Sequence, residues 1–110
     1  MFASYLVFMT NKMMDEHNNT LIDSAVLSWV YIIMNTKSLD LIIGFCFNPS
    51  KHFENHKKPE KLVYYRSFVN SFDAVAHKHL LESLSRKSVM HNVKQVNPDL
   101  NNLMSEIKNL

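Results

Sequence analysis

Glycine is almost missing from this chain: Gly44 is the only one in 110 residues. Average usage is roughly 7%, and hairpins draw on glycine for turns of positive φ. So little of it leans the composition toward helices joined by short polar loops, and excludes a glycine-rich phosphate cradle. Cysteine also occurs once, as Cys46. No intrachain disulfide can form, and nothing argues for an oxidising compartment. Within the apolar run LIIGFCF, Cys46 reads as a small buried hydrophobe. Long apolar runs are absent as well. The longest, AVLSWVYIIM (25–34) and LIIGFCF (41–47), fall short of the ~18–20 residues that span a bilayer. The first residues lack the basic region and cleavage site of a signal peptide. The expectation is a soluble cytoplasmic protein with no membrane partner.

What is present suits a single domain over residues 1–110: 46% hydrophobic and 20% charged residues, with a net charge of only +2. That balance does not by itself imply nucleic acid. The charge is unevenly placed. Residues 1–50 carry Lys12 and Lys37 against Asp15, Glu16, Asp23 and Asp40. Residues 51–66 carry Lys51, Lys57, Lys58, Lys61 and Arg66 against Glu54 and Glu60, and aromatic rings are interleaved with them.

Helical spacing recurs along the chain. Phe2, Tyr5, Leu6, Met9 and Met13 form one apolar stripe, followed by a loose capping box at Thr20 and Asp23. LIDSAVLSWVYIIMN (21–35) repeats apolar pairs every four residues and predicts a central, buried helix. LDLIIGFCF (39–47) fits a helix or a buried strand, and Asn48-Pro49 stops it. Ser50 would cap one helical turn in the polar stretch that follows. From Pro59 onward Leu62, Tyr65, Val69, Phe72, Ala76 and His79/Leu80 keep 3–4 spacing, which predicts one long helix to the mid-80s with Tyr65 and Phe72 buried. VMHNVKQV (89–96) continues amphipathically. Asn97-Pro98-Asp99 then predicts the start of a last helix bearing Leu100, Leu103, Met104 and Ile107. The expected fold is therefore all-α, a compact bundle of four or five helices. The alternative is α+β: helices with one β-hairpin formed by about 41–47 and 61–68, and a helix capped near Asn70 or Ser71.

No motif carries recognisable chemistry. His52 and His56 stand four apart but lack the further ligands a metal needs. His77, His79 and His91 have no local partner pattern for general base catalysis. No catalytic, cofactor-binding or metal site is expected, no cofactor, and no small-molecule substrate. The expectation is a non-enzymatic interaction protein, a regulator or inhibitor that docks to a macromolecular partner. Self-association as a homodimer would use Phe2, Met9 and Met13, because Met-rich apolar surfaces adapt to partners. The alternative is a DNA- or RNA-binding accessory factor, with cations for phosphates and rings for bases. Its contacts, or those to an acidic protein, would be Lys51, Lys57, Lys58, Lys61, Tyr64, Arg66, Arg86 and Lys87.

Overall fold

The computed structural model describes residues 27–54 and 59–108. The amino-terminal stripe with Phe2, Met9 and Met13, the Thr20 capping box, and His56, Lys57 and Lys58 lie outside the described residues. So do residues 21–26 of the helix expected over 21–35.

The fold is mixed α+β, which corrects the all-α expectation. Three strands form one antiparallel sheet in the order β2-β1-β3. β1 is Ser28–Asn35, β2 is Leu41–Cys46 and β3 is Glu60–Phe68. A one-turn helix, α1 (Pro49–His52), lies between β2 and β3; α2 (Ser71–Ser83), α3 (Arg86–Val96) and α4 (Met104–Lys108) follow.

β1 occupies much of the segment expected to be the central helix. Its residues Trp29, Val30, Tyr31, Ile32 and Ile33 are aromatic or β-branched and favour a pleated backbone. Both faces are covered, so the strand shows none of the apolar–polar alternation that would distinguish it from a buried helix. Val30, Ile32 and Met34 pack with Ala74 and Leu81 of α2 and Val89 and Val93 of α3. Tyr31 and Ile33 pack on the other face with Phe53, just after α1, and with Met104 and Ile107 of α4.

The expected long helix from Pro59 divides into β3 and α2. A bulge opposite Ile32/Ile33 explains the misleading spacing. It sends Val63 and Tyr64 together toward α2 and α3, and leaves Leu62 and Tyr65 on the opposite face. A bulge adds one residue to the strand's period, so Leu62 and Tyr65 come to share a face at the i, i+3 spacing of a helix. The alternative with a 41–47/61–68 hairpin had the two strands right and their pairing wrong. Each pairs with β1, which lies between them.

Glycine proves unnecessary for the β1–β2 turn. Asn35 Oδ1 accepts from the backbone N–H of Lys37 at 2.8 Å and of Ser38 at 3.0 Å. Leu39 takes the positive φ, at 65°. Gly44 serves a different need: a Cβ there would overlap the Tyr31 ring, which lies across it from β1.

Helix ends follow local chemistry. Asn48, not Ser50, caps α1, and Pro49 takes its first position. Asn70 caps α2 by accepting from Phe72 N at 2.8 Å, and Ser85 caps α3 by accepting from Ser88 N at 3.2 Å. Asn97-Pro98-Asp99 does not open the last helix. Asn97 closes α3, and its buried side chain donates to Val63 O at 3.0 Å and to Asn101 O at 2.9 Å. The asparagine signal was real, but the β3 bulge carbonyl claimed its amide.

Candidate docking surface

α2 is apolar on two sides. Ala74 and Leu81 face the sheet. Phe72 stands at the centre of the outer side, and Val75 and Leu80 flank it on either side of the helix. Phe72 is 84% exposed, Val75 41% and Leu80 49%. Val69, just before the helix, is exposed too. This outer stripe holds the very residues that continuous helical spacing assigned to the core; the expectation that Phe72 is buried is overturned. Once the chain before Asn70 is a strand, the helical phase restarts at the cap, and Ala74 and Leu81 become the inward positions. Sequence reasoning therefore missed Val75 and misassigned Phe72 and Leu80.

Beneath α2 the polar groups are partnered. Tyr64 Oη and His77 Nε2 are 2.8 Å apart with their rings stacked. Arg66 lies 4.9 Å from the centre of the Phe68 ring, which also touches His77. Burial, with help from the Arg66 charge, pushes the His77 pKa down to about 4. Burial likewise raises that of Tyr64, against the Arg66 charge and hydrogen bond. A neutral histidine held by a phenol is a structural fastener between strand and helix. Tyr64, expected as a contact residue, is only 8% exposed under α2.

On the opposite face Tyr31 Oη is 2.9 Å from His52 Nε2, and the Tyr31 ring meets Phe53 edge-on. Cys46 is packed there as the run LIIGFCF implied, and burial pushes its thiol pKa up to about 11. A thiol so far from ionisation is a poor nucleophile. Among the described residues, no group of three or more His, Cys, Asp and Glu is placed to hold a metal ion. No helix among them is long and apolar enough to cross a membrane.

The expected cations are divided between the two layers. Lys51 is exposed on α1. Lys61 and Arg66 pair with Met34 and Val30, so both point to the α2/α3 side of β3. Arg86 and Lys87 are exposed at the start of α3, where Arg86 Nη2 donates to Leu39 O at 2.6 Å. Among the described cations, Lys51 thus stands on a different layer from Lys61 and Arg66. Comparison with family models, with curated proteins and with solved structures finds no match to this chain.

Proposed function

We propose that this is a small non-enzymatic interaction protein of the cytoplasm, a regulator or inhibitor that docks the outer face of α2 onto a partner protein. One observation carries the reading: Phe72 is 84% exposed at the centre of the outer side of a helix whose other side already fills the core, with the part-exposed Val75 and Leu80 flanking it to left and right. Leaving an aromatic ring in water forgoes roughly 25 cal/mol per Å² of apolar surface. Aromatic anchors ringed by aliphatic side chains are a common centre of binding energy at interfaces. The Lys78–Glu82 ion pair at 2.9 Å borders the stripe and supplies a polar rim.

A photo-crosslinking residue in place of Phe72 tests this in cells. The expected result is one discrete adduct that persists at high salt and is lost on Leu80→Asp, while the same probe at Lys87 gives none. An adduct indifferent to Leu80→Asp, or none at all, overturns the reading.

The competing reading is a DNA- or RNA-binding accessory factor. It is supported by Lys61 and Arg66 sharing one side of β3, with Arg66 close to the Phe68 ring. Counterion release makes such binding fall steeply with salt. Filter binding of labelled single and double strands at two salt concentrations, with Arg66→Glu and Lys87→Glu, decides this reading. Salt-steep binding weakened by both variants supports it; salt-insensitive or unaltered binding removes it.

A further inference from the structure

The two edges of the sheet are finished differently. On β3 the outward groups around the bulge are occupied. Leu62 N donates to Asn102 Oδ1 at 3.1 Å, Leu62 O accepts from Leu103 N at 2.8 Å, and Val63 O accepts from the Asn97 amide. A bulge and the charges of Glu60, Lys61 and Arg66 further discourage a visiting strand. β2 has none of these devices. Its sequence LIIGFC carries no charge and no proline, and its pairing with β1 runs without a register shift.

The ladder shows which β2 groups point outward. Asn35 N donates to Asp40 O at 2.9 Å, and antiparallel pairs alternate between bonded and non-bonded. Ile42, Gly44 and Cys46 are therefore the residues bonded to β1. The N–H and C=O groups of Leu41, Ile43 and Phe45 face away from the sheet, and among the described residues no hydrogen bond is recorded to them. Beside this edge Ile42 is 52% and Phe47 53% exposed, and Leu39 is exposed as well.

We infer that β2 is a self-association edge that pairs antiparallel with β2 of a second copy, making a continuous six-stranded sheet. The occupant follows from symmetry. The outward residues are spaced evenly about Ile43, so a two-fold axis there sets Leu41 against Phe45 and Ile43 against Ile43. Every outward donor then meets an outward acceptor. Ile42 of each copy comes opposite Gly44 of the other, the one position with no side chain, and its exposed surface gains the Tyr31 ring as a neighbour. No like charges meet, because the strand has none. This is a surface separate from the α2 stripe, so the two readings fail independently.

Sedimentation across a concentration series, combined with amide exchange, tests the pairing. The expected result is a dimer at high micromolar concentration. In it the amides of Leu41, Ile43 and Phe45 gain protection as the dimer forms, while those of Ile42 and Gly44 stay protected at every concentration. Ile42→Lys should weaken the dimer ~tenfold or more through lost burial of an isoleucine on each side. Phe72→Glu should leave it intact, and circular dichroism confirms that both variants fold. A monomer at the highest concentration overturns the inference. So does a dimer whose Ile43 amide exchanges freely, and so does an Ile43 amide already protected in the dilute monomer, which would mean that the edge is covered from within the chain.

Discussion

The two faces of the sheet are covered in contrasting ways. Helices of 13 and 11 residues, α2 and α3, lie over an aliphatic set on one face: Val30, Ile32, Met34 and Val63. On the other, helices of only 4 and 5 residues, α1 and α4, are held by aromatic rings with polar tips. Tyr31 reaches His52, and Tyr65 Oη donates to Glu106 Oε1 at 3.1 Å. On the first face one such bond, Tyr64 to His77, adds to a much larger aliphatic area. A one-turn helix cannot supply enough of it, so directional bonds at the ends of large rings fix α1 and α4. The first face is accordingly expected to be the stiffer one, with more room to adjust on the second.

Truncating neighbours that point opposite ways breaks this comparison most severely. Ile32 and Ile33 are both fully or nearly fully buried, one on each face. Ile32→Ala should cost about 4 kcal/mol and Ile33→Ala about 2–3 kcal/mol, because a cavity beneath short helices collapses more readily. Equilibrium urea denaturation measures both; equal losses, or a larger one at Ile33, would refute the difference in stiffness.

Acid should act through the α2/α3 face. The His77 pKa falls from the usual 6.5 to about 4 on folding. Between those values the unfolded chain takes up a proton that the native state resists, so stability is complete above about pH 6.5 and declines as the pH falls toward 4. The loss is on the order of 2 kcal/mol once the water still reaching this half-buried ring is allowed for. Thermal unfolding of His77→Gln against the parent should show that part of the slope removed.

The smallest effect belongs to the α1/α4 face. Gly44→Ala sets a methyl into the Tyr31 ring and should cost about 1–2 kcal/mol, the usual range for overpacking. In a Tyr31→Leu background most of that cost should vanish, which a double-mutant cycle reads directly.

How legible the fold was depended on how many layers touch each segment. The break at Asn48-Pro49 and, in the α+β alternative, the cap near Asn70 or Ser71 are written in a few adjacent residues; the cap at Ser85 was not read from them. Segments 41–47 and 61–68 could be drawn as strands, but not their order in the sheet, since β1 looked helical and was never offered as the strand between them. The exposed apolar residues Phe72 and Leu80 of α2 were visible and misread as core: their phase seemed to run on from Leu62 and Tyr65, a pair aligned only by the bulge. The basic segment was equally plain in composition, yet its described cations, Lys51 against Lys61 and Arg66, fall on both sides of the sheet.

Local chemistry by itself settled that the chain breaks at Asn48-Pro49, that Cys46 is packed, and that Tyr31 to Ile33 are core. Those outcomes depend on bonds and burial preferences within a few residues. Strand or helix for an apolar run, which side of α2 meets water, and which sheet edge stays open were decided by packing. Each depends on what lies across the layer, through a bulge or an amide donated from residues tens of positions away, and periodicity within one segment carries no record of that.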